Sequence, residues 1–207
     1  MSIGLPSYRV EAGELLQHAS RTNYRNAALF YGRNGQNRYD APTRLYGVLY
    51  LGLDLATALM ESVFHKHQWD RDDKRSISLN EVRSRLVRAV GVLEALVLAD
   101  LTAEGVMAGY FGLNAEQLVS RDSTHTQQVS AQVHALPGGD GFPRFDGVLY
   151  PSRNNYPGSA IALFDRAQEK VKVIADIDLA DHTEWPRFVE QYRIGVEPDP
   201  DPVAEES

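Results

Sequence analysis

Arg38, Tyr39, Tyr50, Glu61 and Ser152 have the types needed to handle a charged small molecule that carries flat rings. Arg38 and Tyr39 lie in the polar stretch NGQNRYDAPT, where a guanidinium can fork onto a phosphate and a phenol can stack on a ring. The plainer reading is an exposed loop arginine, and Arg33 and Arg44 could supply the same charge. Glu61 falls beyond the edge of a helical stripe made by Leu55, Leu59, Ser62 and Val63, next to Ala58 and His65. Periodicity alone makes it a solvated helix glutamate. Its small neighbours Ala58 and Ser62, and a preceding strand able to bring Tyr50 close, favour a carboxylate held in a site. Ser152 follows Pro151 and precedes Arg153, Asn154 and Asn155. No G-x-S-x-G elbow surrounds it and no acid and histidine are placed for a triad, so a turn-capping or ligand-binding hydroxyl fits better than a nucleophile. His65 and His67 point to different faces of a helix and are discounted as a metal pair.

These residues need elements to place them. Residues 34–43 are rich in turn formers and read as a loop. They lead into residues 45–51, LYGVLYL, an apolar run suited to a strand buried on both faces. Asp54 then caps a helix that ends near Glu61. Residues 85–101 are rich in Val and Leu and read as one or two strands, and residues 124–136 as a polar helix. A second GVLY word at residues 147–150 reads as another buried strand, stopped by Pro151. Residues 159–165 and 171–177 read as two further strands, arranged as a hairpin. Residues 70–75, DRDDKR, read as a solvated loop, and residues 182–196 as a short closing helix. The flanks of the two GVLY words differ, which rules out duplication and leaves either two core strands built alike or two walls of one site.

The 207-residue chain is long enough for one domain with a substantial core. It contains no cysteine, which excludes disulfides, thiolate metal sites and thiol nucleophiles. A net charge of -7 argues against broad contact with nucleic acid. No apolar run approaches the roughly 20 residues that span a bilayer, and no leader pattern opens the chain, so a cytoplasmic protein is expected. The expected organisation is a domain over residues 1–195 and a disordered acidic tail over residues 196–207.

In order along the chain, Arg38-Tyr39, VLYLGLDLATALMESVF and FDGVLYPSRNNYPGSAIALF resemble the RES domain family, the toxins of bacterial RES-Xre toxin-antitoxin pairs. The departures are Asp40, where the family often has Asn, and the Arg-Asn-Asn segment after Ser152, where it often continues Ala-Arg. The resemblance implies an α/β (α+β) fold: a compact single domain with central mixed sheets flanked by helices, similar to ADP-ribosyltransferases of the diphtheria-toxin type. It also implies NAD as substrate, without a metal. Glu61, Arg38 and Tyr50 are then the catalytic residues, and Arg38, Tyr39, Tyr50, Ser152 and Asn154 bind NAD. Cleavage of the nicotinamide-ribose bond is the expected activity, with water or phosphate as acceptor. Protein ADP-ribosylation and a catalytically silent antitoxin-binding module are the alternatives. An Xre-like antitoxin is the expected partner, homodimerisation is plausible, and no direct contact with nucleic acid or membrane is expected.

Overall fold

The structure, a computed structural model, describes residues 4–65, 76–139 and 141–198. In chain order the elements are β1 (Ser7–Val10), β2 (Leu15–Arg21), β3 (Val48–Gly52), α1 (Leu55–Glu61), β4 (Ser76–Ser78), α2 (Leu79–Arg83), β5 (Arg85–Val92), β6 (Leu96–Asp100), a π turn (Val106–Tyr110), α3 (Ala115–Val119), α4 (Thr124–Ala135), β7 (Gly147–Pro151), β8 (Ser159–Phe164), β9 (Val171–Asp178), α5 (Trp185–Tyr192) and β10 (Gly195–Glu197). Eight strands form one mixed sheet in the order β1-β6-β7-β8-β3-β2-β5-β9, and β10 pairs separately with β4. Within the large sheet β6 and β7 run parallel, and the other neighbours are antiparallel.

The two GVLY words flank one strand. β8 lies between β3 and β7, with Tyr50 opposite Ala162 and Tyr150 opposite Ala160. Successive side chains of a strand point to opposite faces. Val48, Tyr50, Val148 and Tyr150 therefore join Ala160, Ala162 and Phe164 in one core cluster, which also includes Val129 and Val133 of α4. Leu49, Leu51, Leu149, Ile161 and Leu163 turn to the other face. There they meet Leu16 of β2 and Val90 and Val92 of β5, because the sheet curls and its two ends share this interior. The expectation of strands buried on both faces holds for β3 and β7, with Tyr50 and Pro151 partly exposed.

A third cluster packs α1, α2 and α5 together through Leu55, Leu59, Val82, Trp185 and Phe188. Asp54 caps α1 by accepting from the Thr57 N–H at 2.6 Å, as expected of its position. Gly52 lets α1 approach β3 closely, since a Cβ there would lie 2.5 Å from the Ala58 nitrogen and 2.6 Å from the Asp54 carbonyl oxygen.

Several sequence expectations need correction. The strand expected over residues 45–51 is β3, which begins at Val48 and not at Leu45, which is 78% exposed. Residues 85–101 do hold strands, two of them as the sequence allows, and β5 joins β2 and β9 while β6 joins β1 and β7. The expected hairpin of β8 and β9 does not form. β8 is buried on both faces and so takes a neighbour on each side, whereas β9, with Lys172, Ile174 and Ala175 exposed, lies at the sheet edge. Val196 and Glu197, expected in the tail, pair with β4; residues 199–207, the loop 70–75 and His67 lie outside the described residues. The closing helix is present as α5, with Trp185 and Phe188 buried.

Candidate active site

The loop that carries Arg38 and Tyr39 is shaped by the next residue. Asp40 is fully buried, and its Oδ2 accepts from the Gln36 and Asn37 backbone N–H groups at 3.0 Å and from the Asn37 side-chain amide at 3.2 Å. Its Oδ1 accepts from the Tyr50 hydroxyl at 2.9 Å, and that hydroxyl in turn accepts from the Tyr39 N–H at 3.0 Å. Four donors satisfy the buried carboxylate and leave the loop little freedom. Helix α4 adds a second set of ties. Gln127 donates to the carbonyls of Gly35 and Asn37, both at 3.0 Å, and Ser130 donates to that of Tyr39 at 2.7 Å.

The loop delivers Arg38 and Tyr39 onto the tyrosine-bearing face of β3-β8-β7. The Tyr39 and Tyr150 ring centroids are 4.5 Å apart, and the Arg38 guanidinium lies over both rings at 5.4 and 5.3 Å. Burial drives the Tyr39 pKa up to about 12 against the opposing pull of Arg38. Burial, reinforced by the negative charge of Glu61, raises that of Tyr150 well above its ordinary value. Both phenols are therefore neutral donors at physiological pH. Arg38 is 8% exposed. Its Nη2 donates to the Leu118 carbonyl at 3.2 Å, whereas Nε and Nη1 are buried without a hydrogen-bond partner.

Glu61, the last residue of α1, is held from β7 and the turn after it. Its Oε1 accepts from the Ser152 hydroxyl at 2.7 Å and from the Arg153 N–H at 3.1 Å. Its Oε2 has only long contacts, 3.5 Å to the Tyr150 hydroxyl and 3.9 Å to Arg38 Nη1. With the side chain 11% exposed, Glu61 is not the solvated helix residue that periodicity alone suggests. Ser152 also accepts from the Asn155 N–H at 3.1 Å; Asn155 donates to Thr57 at 2.8 Å and accepts from the Tyr192 hydroxyl. The turn after β7 is thereby tied to α1 and α5.

Of the residues expected from the sequence, Arg38, Tyr39, Glu61 and Ser152 converge. Tyr50, expected among the catalytic and NAD-binding residues, spends its hydroxyl on the Arg38 loop, and burial followed by the Asp40 charge raises its pKa well above normal. Asn154 donates its amide to the Met60 carbonyl at 3.3 Å, at the end of α1, rather than pointing among the converging side chains. Tyr150 and Arg153 went unrecognised. The repeated word GVLY is the available signal for Tyr150, since both buried strands carry a tyrosine at the same place in it. A cleft of about 430 Å³ lined by Asp54, Leu55, Asn155, Gly158, Phe188 and Tyr192 contains none of the converging residues. The buried unpaired donors of Arg38 and the loosely held carboxylate oxygen point to the cluster instead.

Neutral buried phenols, a cation with donors to spare and a carboxylate with one lightly held oxygen thus meet in an α/β domain, a set of groups able to hold an anionic ligand against a single acid group. The profile of the RES domain matches residues 14–187, and the chain belongs to that family. At family level these domains are associated with NAD-processing, toxin-like enzymes. No curated protein sequence matches the chain.

Proposed function

We propose that this chain cleaves the bond between nicotinamide and ribose in NAD. The observation that carries the reading is the pairing of Glu61 Oε2, free of any short hydrogen bond, with the unpaired Nε and Nη1 of the buried Arg38. Nicotinamide leaves with the glycosidic electron pair on its ring nitrogen and becomes neutral, so its departure needs no proton. Positive charge then develops at the ribose, and a carboxylate beside it stabilises that state. Ser152 and the Arg153 N–H fix Oε1, which aims Oε2 at the reacting carbon. Arg38 pairs with a phosphate of the ligand, and the Tyr39 and Tyr150 rings form a wall for a flat ring. The acceptor oxygen adds to the ribose carbon and passes its proton to Glu61 or to solvent. Water gives ADP-ribose, inorganic phosphate its phosphorylated form, and a protein side chain an ADP-ribosylated target.

The test is to follow nicotinamide release from NAD by purified protein, with and without inorganic phosphate, while identifying the second product. Glu61→Gln keeps an oxygen for Ser152 and the Arg153 N–H but loses the charge. It is expected to fold normally and to lower the rate by at least ~100-fold, in line with removal of a group that stabilises transition-state charge. A folded Glu61→Gln protein with full activity would refute the assignment. Expression of the wild type in a host cell is expected to arrest growth, and the same substitution to relieve the arrest.

A further inference from the structure

Two guanidinium groups converge at this site, and the second is Arg153. Its backbone N–H is bound to Glu61 Oε1 at 3.1 Å, so the side chain departs from beside the carboxylate. Its Nη1 donates to the Ser120 carbonyl at 2.9 Å, just as Arg38 Nη2 donates to the Leu118 carbonyl at 3.2 Å. The two acceptors lie two residues apart on one stretch of backbone at the end of α3. The cations also feel each other: desolvation and then the charge of Arg38 pull the Arg153 pKa below its ordinary value. Holding two like charges together in a partly dry site costs energy unless negative charge joins them. Glu61 supplies one negative charge and reaches Arg38 only at 3.9 Å. A neutral carbonyl accepts from one nitrogen of each guanidinium, while Arg38 Nε and Nη1 have no hydrogen-bond partner. A group that carries two adjacent negative charges and several oxygens would meet both cations and the unpaired donors.

We propose that Arg153 is a second diphosphate-holding residue of this site, and that the Leu118 and Ser120 carbonyls hold the places which phosphate oxygens take when the ligand binds. The inference rests on the NAD reading and deepens it: the Arg38–Arg153 pair selects a dinucleotide over a substrate that has the same scissile bond but no diphosphate. Arg153 thereby acts in binding and specificity, while Glu61 acts on the ribose.

The experiment compares NAD with nicotinamide riboside as substrates and measures ADP-ribose binding by calorimetry, for the wild type, Arg153→Ala and Arg153→Gln. Truncation leaves the backbone contact to Glu61 in place, and the Gln variant keeps a donor for the Ser120 carbonyl without the charge. Both substitutions are expected to raise the KM for NAD and weaken ADP-ribose binding by ~10- to 100-fold, the scale of one charge-assisted contact. Cleavage of nicotinamide riboside, which carries no diphosphate, should fall by clearly less than cleavage of NAD. A merely structural role in holding α3 would impair both substrates together, and that result would overturn the proposal, as would unchanged ADP-ribose binding. If the wild type releases nicotinamide from neither substrate yet binds ADP-ribose through Arg153, the proposed reaction falls and the diphosphate site stands. If the wild type does not bind ADP-ribose, the diphosphate site falls.

Discussion

The Tyr50 hydroxyl shows how one atom can set a loop. It donates to Asp40 and accepts from the Tyr39 N–H, so two buried polar groups depend on it. Removing one partner of a buried hydrogen bond strands the other, which costs more than the bond itself contributes. Tyr50→Phe keeps the ring and is expected to lose about 1–3 kcal/mol in urea denaturation. It should also weaken ligand binding, because Arg38 is no longer held in register. Stability equal to wild type would show that the hydroxyl does not clamp the loop. Tyr150, on the same face but offset by two positions across β8, has its hydroxyl toward Glu61 instead. Sequence identity of the two words therefore conceals a difference in role that only the strand register creates.

Helix α4 illustrates why a polar helix can be a fixed part of a core. Gln127 and Ser130 hold the Arg38 loop by its carbonyls, while Val129 and Val133 enter the hydrophobic cluster. Near its end His134 stacks flat on Tyr46 at 3.8 Å and meets the edge of Phe164. Desolvation, and next the charge of Arg166, lower the His134 pKa from 6.5 to about 4. The folded protein thus favours the neutral ring, and its stabilising contribution is complete above pH 6.5. That contribution is lost as pH falls towards 4, because the unfolded chain takes up the proton first. His134→Phe preserves the stack and removes the titration. From pH 7 to pH 5 the wild type is expected to lose about 2–4 °C more in Tm than this variant, after discounting for partial solvation. Parallel Tm profiles would mean that the ring titrates normally. His18, lowered chiefly by burial behind β3, changes in the same direction and remains in both proteins, so the difference isolates α4.

At the scale of the whole molecule, the site depends on how the curled sheet is held. β2 and β3 share one register pair, Gln17 with Gly52, which makes a narrow backbone link between the two ends of the large sheet. Side chains reinforce it. The inner cluster fills the curl, and α1, α2 and α5 lock the outer side through a stack in which Phe188 meets Phe64, Trp185 and Tyr192. Tyr192 then reaches Asn155, joining the closing helix to the turn that holds Glu61. Phe188→Ala is expected to cost about 3–5 kcal/mol, from lost burial and the cavity left behind. Its activity should fall as well, because the Asn155 tie loosens. A stability loss below about 1 kcal/mol would show that α5 is peripheral.

What the sequence determined by itself was local: the Asp54 cap, the helix leading to Glu61, the polar helix α4, the two apolar strands that carry the GVLY words and the closing α5. Each follows from residue type and spacing within a few positions, where backbone geometry and periodicity act directly. The family motifs also named Arg38, Tyr39, Tyr50, Glu61 and Ser152 before any distance was known. Only the tertiary structure decided that β8 sits between the two GVLY strands while β9 goes to the edge, that Tyr150 rather than Tyr50 faces Glu61, and that Arg153 joins Arg38. The physical reason is that strand partners are chosen by burial across long sequence separations. An offset of two positions keeps a residue on the same face but changes which neighbour it meets.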